Sequence, residues 1–348
     1  MADTITLSVV DQSPMRKGSS AAEALRETVA LAQVAERLGY TRYWVAEHHN
    51  SGSFTGTSPE LLVGQIAART DRIRVGSGGV MLTHYSALKV AEQFRVLESF
   101  YPGRIDLGIG RAPGSDSLTA AALAYPKPPA DSPHFPRQVR DLLGFLTGEM
   151  EKGHPFAEVR AQPGEGDPGA PPEVWLLGSS DYSARLAARL GLPFAFADFF
   201  GDLHHGPAVA ELYRREFQPS CRLAEPRLNV ALQILCADTE EEAAYLGASR
   251  NLNKAATIMG LQQGLLPPDE AAAFTLTEEA RRFMAAFRES YIDGNPQQVR
   301  SGVLKAAERY GTNDISVVTN AYAHETRVRS YELVAQAFGL ARRQGPGT

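Results

Sequence analysis

The chain has 348 residues, 43% hydrophobic and 22% charged, with a net charge of −5. That is a globular composition long enough to bury its own core, and its sign argues against a bulk electrostatic grip on nucleic acid or an anionic membrane. Cys221 and Cys236 stand outside any Cys/His cluster, residues 1–7 carry no signal-peptide pattern, and no apolar run reaches roughly 18 residues; we therefore expect no zinc, redox or membrane-spanning motif, and a cytoplasmic protein.

In chain order, short apolar runs alternate with helical patterns. Residues 5–10 read as a strand. Ser19-Ser20 then caps a helix, with Glu23 placed for a capping box; Leu25, Val29, Ala32, Ala35 and Leu38 recur at helical spacing, and Gly39 stops it. Residues 43–46 form the second strand, and Ser58-Pro59 opens the next helix. A third strand over 73–76, a helix over 88–100 and a fourth strand over 105–109 follow. Residues 112–136, rich in Ala, Pro and Ser and without a clear period, predict a long loop over one end of the fold. After a helix over 137–147 and a Gly/Pro-rich turn over 164–172, the fifth strand is 174–177 and its helix 182–190. Residues 194–197, 228–235 and 315–318 complete eight strands. Between the last two lie helical patterns over 239–256, 277–290 and 296–309, with a break at 260–269; a final helix covers 325–338, and 342–348 read as a frayed tail.

Eight β-then-α units predict an α/β fold: a parallel sheet with right-handed crossovers, closed into a TIM (β/α)8 barrel, one domain over 1–348 with insertions after strands four and seven. No Gly-x-Gly-x-x-Gly follows the first strand, where Asp11-Gln12-Ser13-Pro14 stands, which counts against a Rossmann dinucleotide site.

In such a barrel, function gathers on the loops after the strands. Glu47-His48-His49 follows strand two, Gly76-Ser77-Gly78-Gly79 strand three, Gly108-Ile109-Gly110-Arg111 strand four, Gly178-Ser179-Ser180 strand five, and Asp198-Phe199-Phe200 strand six. A histidine at a strand end can move protons near neutral pH. Adjacent histidines on extended chain point opposite ways, so a metal held by both His48 and His49 is not expected; the residues alone leave open whether one of them acts on a ligand while the other packs, or neither does. The crowded glycines permit close approach of a flat ligand to the backbone, or form a plain bulge. Arg111 suits a phosphate, as do the N–H groups and hydroxyls of Ser179-Ser180 where a helix begins; the ordinary alternatives are a surface arginine and a helix cap. His204-His205 reads as solvated loop, His134 as part of a lid, and His84 and Tyr85 as the border of the ligand face.

Leu38-Gly39-Tyr40, Trp44-Val45-Ala46-Glu47-His48-His49-Asn50, the block over 73–82, Ala91-Glu92-Gln93-Phe94, the block running from Tyr101-Pro102-Gly103-Arg104 to Arg111-Ala112-Pro113-Gly114, Trp175-Leu176-Leu177-Gly178-Ser179-Ser180 and Arg329-Ser330-Tyr331-Glu332-Leu333 stand in an order and spacing that together resemble the bacterial-luciferase-like flavin oxidoreductases over nearly the whole chain. The resemblance implies a barrel that binds FMN, often as a homodimer. It implies a monooxygenase that uses reduced FMN and O2 to oxidise a small organic substrate, with reduced flavin supplied by a separate NAD(P)H:flavin reductase. By position, His48 matches the family histidine that assists proton transfer. Gly78-Gly79 matches the segment under the flavin ring, where a non-prolyl cis bond is usual. Arg111, Ser179 and Ser183 match phosphate contacts. Ser13, Glu47 and Gly178 are carried as further cofactor contacts, and His84, Tyr85 and Phe199 as substrate pocket; no metal is expected. At Thr83-His84-Tyr85 the chain departs from the Pro-Asn-His of many relatives, so no family substrate preference is carried over. A deazaflavin-dependent hydride-transfer enzyme and a non-catalytic FMN-binding protein are the alternatives.

Overall fold

The computed structural model describes residues 4–112, 114–126, 132–164, 170–200, 205–261, 263–288 and 290–340. Among them, buried apolar runs form β1 (Thr6–Asp11), β2 (Arg42–Val45), β3 (Arg74–Met81), β4 (Ile105–Gly110), β5 (Glu173–Gly178), β6 (Phe194–Ala197), β7 (Leu228–Cys236), β8 (Ile292–Gly294) and β9 (Asp314–Val318). All pair in parallel, in the order β6-β5-β4-β3-β2-β1-β9-β7-β8, and β6 also pairs with β7. That closure makes an eight-stranded TIM barrel. The short β8 lies outside it, paired with the last three residues of the long β7.

Helices cover the outer face. Helix Ala21–Leu38 shows the local logic: Ser20 Oγ accepts the Glu23 N–H at 3.2 Å, Gly39 ends it at φ 90°, and Leu31, Ala32, Ala35 and Leu38 turn inward. Full burial of Leu31 alone is worth about 2 kcal/mol. The last helix, His324–Ala337, is tied to β1 by a buried network. Arg327 Nη2 donates to Asp11 Oδ1 at 2.5 Å, and Tyr43 donates its hydroxyl to Asp11 Oδ2 at 2.6 Å.

Alternation along the strands fills the interior in layers. On β2, Tyr43 and Val45 join the outer core, while Trp44 points inside with Val10, Trp175, Ala195, Ala231 and Val318. Beneath, at the N-terminal strand ends, charges close the barrel: Asp106 takes Arg42 at 3.4 Å and Arg74, Glu173 takes Arg227, and Asn229 donates to Asp314 at 2.7 Å. The indole N–H groups of Trp44 and Trp175 donate down into this layer, to Asp106 at 2.9 Å and Glu173 at 2.5 Å. The two rings meet edge-on at 5.2 Å and form a plug; above it, small residues leave space.

Four local expectations are corrected. The stretch expected as loop over 112–136 contains helix Ser117–Ala124, capped by Asp116, whose side chain accepts the Thr119 N–H. Its alanines favour helix all round without an apolar stripe, so no period shows in the sequence. The glycines expected after strand three lie within β3, where the pairing with β4 shifts between Gly78 and Val80. Helix Gly206–Glu216, opened by Pro207, follows His204-His205 directly, where the sequence predicts only solvated loop. Strand β8, three residues long, is too short for a periodic signal. The tail 342–348 and His204 lie outside the described residues.

Candidate active site

The C-terminal strand ends surround a cleft of about 170 Å³. Its floor is the Trp44 side of the plug, with Val10, Ala195 and Ala231; its sides are Gly78, Gly79 and Met81 from β3, Gly110 with Arg111 just after β4, and Leu177 and Gly178 with Ser179 just after β5. The space exists because the residues above the indoles are small. Gly79 is required by packing: a Cβ there would lie 2.7 Å from the Gly108 carbonyl oxygen. The Gly78–Gly79 peptide is cis, as the resemblance implies. A larger groove, of about 620 Å³, lies on the outside of the barrel between helices Ala21–Leu38 and Pro59–Ala67, away from the strand ends where the chemistry-bearing side chains gather.

One end of the cleft gathers an arginine, three serines and a helix N-terminus, groups that could hold an anion. Arg111 reaches it from β4, its guanidinium 4.2 Å over the ring of Tyr182, which fixes the plane of the charge. Ser179, Ser180 and Ser183 line the same end, where helix Asp181–Leu190 presents its N-terminus. Gly178 is close-packed on Ser183: a Cβ there would lie 2.4 Å from the Ser183 hydroxyl. His205, expected as solvated loop, sets Nε2 3.3 Å from the Ser179 carbonyl, beside this end.

Glu47 lies behind β3. It is fully buried, and its Oε1 meets the Tyr85 hydroxyl and His49 Nε2, each at 2.7 Å, while Oε2 accepts the Met81 N–H at 3.0 Å. Burial and this carboxylate push the Tyr85 phenol well above its ordinary range. The His49 and His84 rings pack edge-on at 6.1 Å, and His84 on Tyr85 at 6.0 Å. The cluster holds the end of β2 to the stretch of β3 that walls the cleft. It also fastens the following loop: the His49 N–H donates to the Gly114 carbonyl at 3.2 Å, and Asn50 donates to Asp116 at 3.1 Å.

His48 points elsewhere than its neighbour, as alternation requires. Its N–H donates to the Gly56 carbonyl at 2.8 Å, and its ring lies on Phe54 at 4.8 Å. Nδ1 is buried without a hydrogen-bond partner. Enclosure, and secondly the charge of His49, pull its pKa from 6.5 to about 4. The ring is therefore neutral at pH 7, with a buried nitrogen able to accept or pass a proton.

The structure thus brings Gly78, Gly79, Arg111, Gly178, Ser179, Ser183 and Phe199 to one cleft. It sets Glu47, His84 and Tyr85 in the supporting cluster. Ser13 lies in a closed turn: at φ 51°, its N–H donates to Asp11 at 2.9 Å, its hydroxyl accepts from Thr28 at 2.9 Å, and its carbonyl accepts the Thr55 N–H at 3.0 Å. His134, read as a lid, sits at the start of helix Phe135–Thr147. Two contributors escaped sequence reasoning. Trp44 could have been found from strand alternation, and Tyr182 from its place in the first turn after Ser180. Among the described residues, no group of three or more His, Cys, Asp or Glu side chains is arranged to hold a metal ion, and no helix is long and apolar enough to cross a membrane.

Comparison with known proteins agrees with this fold. The profile of the family described as luciferase-like monooxygenase matches residues 5–320. A luciferase-like monooxygenase of Escherichia coli (strain K12) is 40% identical over 95% of this chain and 96% of its own. An N-acetyl-S-alkylcysteine monooxygenase of Bacillus subtilis (strain 168) is 36% identical over 97% of this chain and 100% of its own. Among solved structures, apo-MsnO8 superposes with a TM-score of 0.89 at 38% identity, covering 97% of this chain and 100% of that one.

Proposed function

We propose, from the premise that the chain belongs to the luciferase-like monooxygenase family, that it is a flavin-dependent monooxygenase using reduced FMN and O2 to oxidise a small organic substrate. The observation that carries the reading is the meeting of Arg111, Ser179, Ser183 and the Gly78–Gly79 backbone in one cleft above a tryptophan plug.

The residues present fit FMN. An anion end with a guanidinium, hydroxyls and a helix N-terminus suits its phosphate, and glycine backbone facing Leu177 and Phe199 suits a flat ring system. His48 is not among the residues lining the cleft, and its part in this reading rests on its place at the end of β2 and on a buried Nδ1 without a hydrogen-bond partner. When bound, the reduced flavin supplies the electrons and the activation of O2. The chain's own part is to bind, orient and shield. Arg111 and Ser179 hold the phosphate, with Gly178 and Ser183 shaping that end. Trp44, Leu177 and Phe199 keep water from the ring. His48, neutral at pH 7, takes or returns a proton at Nδ1. Glu47, Tyr85 and His84 position the β3 wall, and Ser13 positions the turn after β1.

In this reading the oxygen atom transferred comes from O2, and the reduced flavin arrives from a separate NAD(P)H:flavin reductase. The protein works in the cytoplasm as a homodimer, each chain one domain. The relative that acts on N-acetyl-S-alkylcysteine supports a substrate of that modest size.

The test is a titration of the protein with FMN, riboflavin and a deazaflavin, followed by O2 uptake with a flavin reductase and a panel of small thioethers and ketones. Tight binding of the deazaflavin alone would overturn the FMN reading, and FMN binding without substrate-dependent O2 uptake would make the protein a carrier.

A further inference from the structure

We infer that Met81 is a self-modification site: hydrogen peroxide made in the cleft oxidises its thioether to the sulfoxide, which loosens the hold on FMN. The inference rests on the flavin reading above, because reduced flavin and O2 that meet without a substrate yield hydrogen peroxide. Met81 closes β3 and lines the cleft. It stands two residues beyond Gly79, about 7 Å along an extended strand, so it borders the shelf assigned to the flavin ring. Among the described residues it is the one methionine that lines the cleft. Its backbone is held from behind, where its N–H donates to Glu47 Oε2 at 3.0 Å. Its side chain lies against two glycines of the neighbouring segment. A Cβ at Gly110 would stand 3.4 Å from the sulfur, and one at Gly114 would stand 3.3 Å from Cγ and 3.4 Å from Cε.

The step balances. The sulfur gives two electrons and gains one oxygen atom from hydrogen peroxide; the O–O bond breaks, and the other oxygen leaves as water with both protons. A thioether is soft, flexible and apolar, whereas a sulfoxide is polar and chiral at sulfur. Gly110 and Arg111 line the cleft, and Thr83, two residues beyond Met81, donates its hydroxyl to the Arg111 carbonyl at 3.4 Å. An oxygen added to the sulfur presses either on Gly110, which seats Arg111, or into the space for the ring. Both weaken FMN binding. The modification falls on protein that turns over flavin without a substrate, and methionine sulfoxide reductases, one for each epimer, reverse it.

The experiment loads the full chain with FMN, checks uptake by flavin fluorescence, and cycles it in air with a flavin reductase and NADH but no substrate. Catalase clears peroxide from the bulk. Peptide mass spectrometry then follows the gain of one oxygen atom at each methionine. Met150, which packs on the outer core, and Met259, which packs in the insertion after β7, are half-buried like Met81 and do not line the cleft. Met81 should be oxidised about tenfold or more faster than either, since proximity favours the thioether beside the source. Hydrogen peroxide added to the flavin-free chain should give Met81 no such lead. FMN affinity should fall as Met81 is converted, recover with the two sulfoxide reductases, and stay closer to its own starting value in Met81→Leu. Equal oxidation of the three methionines under cycling, or a lead for Met81 that added peroxide reproduces, overturns the inference. So does an FMN affinity untouched by full conversion of Met81. A chain that takes up no FMN overturns the flavin reading and this inference with it, whereas FMN uptake with an unoxidised Met81 overturns this inference alone.

Discussion

Tyr85 donates its hydroxyl to Oε1 of Glu47 at 2.7 Å, behind the strand that walls the cleft. The same carboxylate meets His49 and the Met81 N–H, so one buried side chain joins the ends of β2 and β3. Buried acceptors matter most through the donors they would leave unsatisfied. Glu47→Ala should cost about 3 kcal/mol of unfolding free energy, and Tyr85→Phe about 1 kcal/mol. Urea denaturation of the two variants checks this. A Glu47→Ala protein no less stable than Tyr85→Phe would remove the carboxylate from its supporting role.

His48 gives the pH dependence. Its folded pKa, about 4, lies below the 6.5 of an unhindered imidazole. Between these values the unfolded chain takes up a proton that the folded chain refuses, so His48 weakens stability as pH falls through that window. His48→Gln should flatten the slope. In the proposed reaction the neutral ring is the active form, so the acid limb of the pH–rate profile should fall nearer 4 than 6.5, and His48→Ala should slow turnover with FMN affinity nearly intact. An acid limb near 6.5, or unchanged turnover, would contradict the role.

At the anion end, Arg111→Gln should weaken FMN binding by roughly tenfold to a hundredfold, the scale of a charge-assisted contact. Riboflavin, which lacks the phosphate, should bind the variant and the parent alike. Fluorescence titration of both ligands checks it; parallel losses for FMN and riboflavin would place Arg111 away from the phosphate.

Two glycines of the cleft should respond differently to alanine. At Gly79 the new Cβ would meet the Gly108 carbonyl oxygen, a backbone atom, at 2.7 Å, whereas at Gly110 it would meet only the Met81 side-chain sulfur, at 3.4 Å. Gly79→Ala should lower stability by about 2 kcal/mol as overpacking does, and weaken flavin binding; Gly110→Ala should be near neutral for stability. Thermal unfolding of the pair is the measurement, and equal shifts would refute the packing argument.

The sequence by itself determined the barrel, because eight apolar runs alternating with amphipathic helices leave few ways to bury both faces of a parallel sheet. It also marked strand ends whose residues meet at one cleft, since Arg111, Ser179 and the Gly78–Gly79 pair stand out by residue type. Tertiary structure decided what each does. Glu47 and His48 are neighbours in the chain, yet alternation sends one behind β3 and leaves the other with a buried open nitrogen. Ser13 looked like a ligand contact and is closed into its own turn by Asp11 and Thr28. Helix Ser117–Ala124 left no trace because alanine has no preferred side.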